Sequence, residues 1–292
     1  MSVSVSQSYA QRILFAYWQQ PLAVMGAALL WVIMLLAIFA PSLSAYTYFG
    51  VDFAAKNQSP SLQHLFGTDD LGRDLFIRVC YGIRISLFVG VAAACIDLVI
   101  GVLWGAAAAL YGGKVDECLM RIVDVLNAIP TLLLIIPLIA VMGSGVHSIV
   151  LALALVGWLT MARIVRAQLM QIKQQGFVMA AQGLGAGFWR IVFRHLLPNA
   201  TGTILVTMAL TVPVAIFTEA FLSYLGLGVQ APVASLGSMA NEGLPALEYY
   251  PWRILFPSGF IVLLILAFNL VAEGLQKALE LDRATPVAER LF

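Results

Sequence analysis

Two carboxylates stand inside stretches that are otherwise almost wholly apolar: Asp97, within CIDLVIG (95–101), and Glu219, within AIFTEAF (215–221). A charge held in lipid is costly and marks a path, a pairing or a proton-holding group. Asp97 is open to three readings: it lines a translocation path, it pairs with a helix of a partner subunit, or it sits protonated among polar neighbours. Glu219 is a second candidate for such a path, and its type and place do not choose its role. A third acid, Asp124, follows Arg121 by three residues, the spacing of an ion pair on one helix face at the headgroup boundary. Other chemistry has no frame here. Gly112-Gly113-Lys114 is followed by Val115 and lacks the spacing of a nucleotide-binding loop. His64, His147 and His195 lie too far apart to read as a metal-ligand cluster. No nucleophile with an adjacent base is evident, so the residues argue against an enzyme.

The elements that must position these residues follow from composition. The chain of 292 residues is 61% hydrophobic and 11% charged, with a mean hydropathy of +0.94. A soluble domain has roughly a quarter of its residues charged. The net charge of +1 gives no electrostatic case for nucleic acid. A helix needs about 20 mostly apolar residues to cross a bilayer. Six runs meet that need: 22–40, 85–110, 121–142, 147–163, 200–222 and 254–273. The chain therefore reads as an all-α membrane protein with six transmembrane helices. The first run exceeds the roughly 7–15 residues of a cleaved signal core and reads as a retained helix. With the N-terminus in the cytoplasm, eleven of the sixteen Lys and Arg face inward, among them Arg12, Lys114, Arg163, Lys173, Arg283 and Arg290. The opposite orientation reverses the inside-positive bias. Three parts result: a cytoplasmic segment (1–21), a transmembrane domain (22–281) and a cytoplasmic tail (282–292). The domain includes an outer loop (41–80) and a large inner connection (164–199).

Within those runs, Gly101, Gly105 and Ala106 to Ala109 let backbones approach closely, either inside the six-helix unit or across a dimer face. Pro130, Pro137 and Pro213 are kink sites. Cys80, Cys95 and Cys118 fall at different depths and form no disulfide. In the second outer region (223–253), the glycines after Leu225 are not a phosphate cradle.

The inner connection carries a pattern of its own. Phe177, Ala180, Ala181 and Leu184 fall on one helix face, Gly185 and Gly187 interrupt it, and Phe188, Ile191, Val192, His195 and Leu196 repeat the spacing up to Pro198. Arg190 and Arg194 lie on the other side. A helical pair lying on lipid headgroups and a docking element for a partner both fit.

These residues resemble a known family. Ala180-Ala181, then Gly185, then nine residues, then His195-Leu196-Leu197-Pro198 is similar to the "EAA" loop of ABC-importer permeases. FGTDDLGRD (66–74), RISL (84–87), MRIVDVLNAIPTLLL (120–134) and EAFLSYLGLGVQ (219–230) resemble the peptide/nickel branch, in particular the second permease subunit of dipeptide and oligopeptide importers. The resemblance covers about residues 66–281. It implies the type I importer permease fold, in which the loop is a coupling element docked into a groove on a cytoplasmic ATPase. It implies a homologous permease, two ATPase subunits that bind the ATP and Mg, an extracytoplasmic binding protein, and a place in the bacterial cytoplasmic membrane. Di- or oligopeptides are the implied cargo, with nickel, metal chelates or other small solutes as the alternative. The coupling positions are then Ala180, Ala181, Gly185, Phe188, Trp189, Arg190, Ile191, Val192, His195 and Pro198, with Phe188, Ile191 and Val192 as anchors in a helix-in-groove contact. Met179 stands where the motif has a glutamate. Asp69, Asp70, Arg73 and Asp74 either pair locally as a solvated loop, contributing little, or brace the outer rim of the translocation path, or meet the binding protein. Two rivals differ in kind. A stand-alone secondary transporter should show an inverted repeat, and none is visible. A purely structural subunit would hold an ATPase without forming a pore.

Overall fold

In lipid a spanning chain must satisfy its own backbone polar groups, and a helix does so within one segment. The computed structural model describes residues 9–230 and 232–284, and among them all regular structure is helical apart from one isolated bridge, Thr68 to Asp74. Residues 1–8 of the N-terminal segment and 285–292 of the tail, Arg290 included, lie outside the described residues.

A short helix α1 (Tyr9–Trp18) leads to α2 (Pro21–Leu43), which opens on a proline whose missing N–H would be unpaired anyway. Pro41, in the last turn of α2, leaves the Ala37 carbonyl without its helical donor. Arg84 fills the vacancy: its Nε donates to Ala37 O and its Nη2 to Ile38 O at 2.9 Å. Arg84 belongs to α3 (Leu75–Tyr111), which starts where the Asp74 carboxylate accepts the Ile77 N–H at 2.9 Å. It ends at Gly112, whose φ of +63° suits glycine. The helix begins ten residues before the apolar run 85–110, because Arg78 and Arg84 in that extension are paired rather than solvated.

The expected third span, 121–142, is not one helix. It is α4 (Gly113–Ala128) and α5 (Thr131–Met142), bent by 82°. Pro130 offers no donor and forces Ile129 into extended backbone, so the first helix must stop there. After it come α6 (Val146–Lys173), α7 (Gly176–Gly183), α8 (Phe188–Ile191), α9 (Leu197–Tyr224), α10 (Leu236–Gly243) and α11 (Trp252–Ala284). Five helical segments are each long and apolar enough to cross a membrane, and six crossings result when the bent pair counts as one.

Packing decides that count. Along α3 and α6 the contacts advance together: Asp97 meets Gly157, Gly101 meets Met161, and Gly105 meets Ala162 and Val165. The two helices are parallel, so the chain between their ends must return the whole length of the layer, and α4 with α5 makes that return. Glycines at these crossings let the backbones touch, which serves packing inside this chain. Along α9 the order reverses: Ser86 meets Glu219, and Gly90 meets Ile216 and Val212. Gly26 against Leu270 and Gly274 against Ala23 set α11 antiparallel to α2. One end of the bundle therefore holds the start of α2, the end of α11 and the connection from α6 to α9. The other end holds residues 44–74 and 225–251.

The expected Arg121–Asp124 pair is absent. Val123 packs on Leu159 and Ala162, which turns Asp124 toward Arg163, and those two bond at 2.7 Å.

Candidate functional site

The connection between α6 and α9 is built from two short helices and a hinge. Helix α7 ends at Gly183, and Gly185 follows with φ of +80°, a conformation that side chains with a Cβ disfavour. From Phe188 the backbone is helical without a break: α8 passes into a π turn (Val192–Leu196) and then into α9. Pro198 does not end the run, contrary to expectation. It lies in the first turn of α9, where the π turn, closed by Leu197 N–H to Val192 O, carries the helix past its missing donor. The second half of the connection is thus the tip of the fifth span.

Its faces are sharply divided. Ile191 and Val192 are 8% and 3% exposed; Ile191 and Leu196 pack with Ala200 against Val165, Leu169 and Ile172 of α6 and Val178 of α7. Both side chains are therefore buried in this chain, Ile191 within its seam with α6 and α7, rather than standing on the exposed face. Trp189 and Phe193 are 65% and 63% exposed instead. Their rings lie 5.8 Å apart and 18° from parallel, and Phe188 meets Trp189 edge-on at 5.3 Å. Phe193 escaped notice in the sequence, although it stands one turn from Trp189. Ala180, Arg190 and Arg194 are also exposed, while Ala181 and His195 are half-buried, His195 with its ring 6.2 Å from Phe177.

At the opposite end the charged cluster is a buried clasp. The Asp69 carboxylate accepts the Arg73 Nε at 2.6 Å, the Arg78 guanidinium, and the backbone N–H groups of Leu71 and Arg73. Glu242 of α10 accepts from Arg78 at 3.0 Å and Arg73 at 3.3 Å. Arg253 of α11 reaches Asp70 at 3.0 Å and Asn57 at 3.3 Å. Asp74 holds His64 Nδ1 at 2.8 Å besides capping α3. Burial pushes the Asp69 carboxyl up, but the Arg78 and Arg73 charges and the two backbone donors outweigh it and hold the group below its ordinary value. Asp69, Arg73 and Asp74 are thereby closed to an external protein, and only Asp70 of the four is partly exposed. The solvated-loop alternative fails for the same reason. Arg78, Glu242, Arg253 and His64 were missed as members of the clasp: Glu242 and Arg253 lie far along the chain, while Arg78 and His64 are near in sequence but carry no spacing signal that pairs them with Asp69 and Asp74.

Asp97 and Glu219 are also closed within this chain. Asp97 lies against Gly157 and the backbone of Trp158, so it joins α3 to α6. Glu219 is 0% exposed and accepts from Ser86 Oγ and Ser223 Oγ at 2.8 Å each; Ser235, which caps α10, donates to Ser223 at 3.2 Å. In this chain both carboxylates sit between helices, Asp97 between α3 and α6 and Glu219 between α9, α3 and the cap of α10.

Residues 98–284 match the family described as the binding-protein-dependent transport system inner membrane component, and residues 8–60 match the N-terminal transmembrane domain of oligopeptide transport permease C. The chain belongs to this inner-membrane permease family. The permease is 54% identical over 259 residues to the Bacillus subtilis oligopeptide transport system permease protein OppC, covering 89% of this chain and 85% of that one. It is 48% identical to the dipeptide transport system permease protein DppC of the same organism, over 94% and 86% of the two chains. The Escherichia coli OppC is 43% identical, over 88% and 86%. Among solved structures, inward-facing MetNI methionine ABC transporter crystals match with a TM-score of 0.58 at 18% identity, covering 68% of this chain and 94% of that one. An amino acid ABC transporter with histidines matches at 0.55, covering 67% and 91%. These two show the fold, that of type I ABC importer permeases. Within the permease, the connection, Glu219, Glu242 and Arg253 fall in the larger matched region and Asn57 in the smaller, so the clasp ties the two together.

Proposed function

We propose that this permease forms half of a translocation path for di- and oligopeptides, with both termini and the 174–196 connection in the cytoplasm. A homologous permease supplies the other half, an extracytoplasmic binding protein delivers the cargo, and two ATPase subunits that bind ATP and Mg drive the cycle. The names of the relatives support the cargo, and the inside-positive charge distribution supports the orientation. One observation carries the mechanism: the exposed Trp189 and Phe193 stand on backbone that is helical without interruption into α9. A displacement of that aromatic face by an ATPase moves α9 as one body. Through Glu219, Ser86 and Ser223 it also moves α3 and the cap of α10.

The hinge supplies the test. At Gly185, Gly185→Asp strains the φ of +80° and misdirects α7 against α8. ATP-driven peptide uptake into reconstituted vesicles, with binding protein outside and ATP enclosed, is expected to vanish while the protein stays in the membrane. Normal uptake by that variant overturns the coupling role. Competition of peptides against nickel chelates for the binding protein settles the cargo.

A further inference from the structure

Resting on the docking reading above, we infer that the ATPase groove receiving this connection has carboxylates around an apolar floor, so that the permease selects its ATPase by charge as well as by shape. No Asp or Glu occurs between Asp124 and Glu219. The cytoplasmic surface built from that stretch carries Lys173, Arg190 and Arg194, and among the described residues none of the three makes an ion pair. Two carboxylates of the neighbouring α4 are already engaged, Asp116 with Arg166 and Asp124 with Arg163. Arg190 and Arg194 stand one turn apart, exposed, beside the Trp189–Phe193 column. Like charges at that spacing repel, and two adjacent guanidinium forks are the geometry that carboxylates bind in pairs. On α7, Met179 is exposed and shares with Lys173 and Met170 the wall of a cavity of about 450 Å³. The surface thus offers exposed aromatic and thioether groups together with cations that have no ion-pair partner among the described residues, and its complement is apolar with anions.

The importer is reconstituted from this permease, its permease partner and their ATPase subunits in nanodiscs of neutral phosphatidylcholine. ATPase binding is then measured as NaCl rises from about 0.05 M to about 0.5 M. Wild-type affinity is expected to fall steeply with salt. The double variant Arg190→Glu/Arg194→Glu is expected to bind about a hundred-fold more weakly at low salt, and its affinity should rise rather than fall with salt, because the new like-charge repulsion is screened. Arg190→Lys/Arg194→Lys should retain most of the affinity. Both positions are exposed, so unchanged size-exclusion elution of the variants checks that the fold survives. Trp189→Ala separates the two readings. If it releases the ATPase while charge reversal leaves binding and its salt dependence unchanged, docking stands and the charge inference is overturned. If neither change affects binding, the docking reading fails and takes the inference with it. A defect of the double variant confined to nanodiscs containing phosphatidylglycerol assigns the arginines to lipid headgroups and also overturns the inference.

Discussion

Arg84 exists where it does because of a proline on another helix. Pro41 cannot donate, the Ala37 carbonyl loses its partner near the end of a span, and the guanidinium of Arg84 covers it together with Ile38 O. Arg84→Met leaves that carbonyl bare and is expected to cost about 1–3 kcal/mol, read as a lower midpoint of thermal unfolding in detergent. Pro41→Ala restores the helical N–H, so the double variant should recover much of the loss. If the double variant falls further than Arg84→Met, the pairing is not what Arg84 supplies. Asp69 is the centre of the clasp, and removing its charge leaves two buried guanidinium groups with Glu242 as their one shared carboxylate. Asp69→Asn is expected to cost about 3–5 kcal/mol. Its carboxyl titrates below the ordinary 3.8 in the folded chain, so the stability it contributes is fully present above that value and disappears as pH falls through the lowered one. Unfolding midpoints of wild type should therefore drop at acid pH more steeply than those of Asp69→Asn. The sequence displayed Asp69, Asp70, Arg73 and Asp74 as a cluster, but not its worth. That worth comes from burial against Glu242 and Arg253, residues brought in by the fold and invisible to any local spacing.

At the scale of elements, the six apolar runs were legible because lipid imposes both their length and their composition. Their ends were not. Polar extensions such as 75–84 and 164–173 stay helical because tertiary partners satisfy Arg78, Arg84 and Arg166. The break at Ile129–Pro130 was hidden for a different reason: hydropathy counts side chains, whereas the break comes from a backbone donor that proline lacks. Pro130 was visible as a kink site, yet a bend of 82° that splits a span depends on where the two halves can pack. The glycines of α3 left two readings open, and the parallel register with α6 chose internal packing. Gly105 touches the backbone of Ala162 and Arg166, so Gly105→Leu has no room and must separate the helices. The overpacking is expected to cost about 1–3 kcal/mol or prevent folding outright. Gly259, in α11, faces open space, and Gly259→Leu should be neutral or slightly stabilising through helix propensity. Thermal unfolding of the two variants side by side measures the contrast, and equal behaviour would refute the assigned register.

For the whole molecule, sidedness is the property from which coupling follows. The parallel pair α3 and α6, closed by α4 and α5, places the connection, the start of α2 and the end of α11 at one end. The clasp and the loop around Leu62 lie at the other. The proposed orientation rests on charge, since eleven of sixteen cationic residues belong to the connection end in sequence and cationic loops tend to stay in the cytoplasm. Cysteine labelling reads this directly. Cys80 is buried, but Cys95 and Cys118 are exposed and must first be replaced, for example by alanine and serine. In that background, with the permease produced without its ATPase subunits so that the face is uncovered, Trp189→Cys is expected to resist a membrane-impermeant maleimide in intact cells and to react in inverted vesicles. Leu62→Cys, at a position 98% exposed, should show the reverse. Both substitutions sit on open surface, so neither depends on repacking. Reaction of Trp189→Cys in intact cells would put the aromatic column outside, beyond the reach of any cytoplasmic ATPase. It would remove coupling and charge selection together, while leaving the clasp, the parallel register and the family membership untouched.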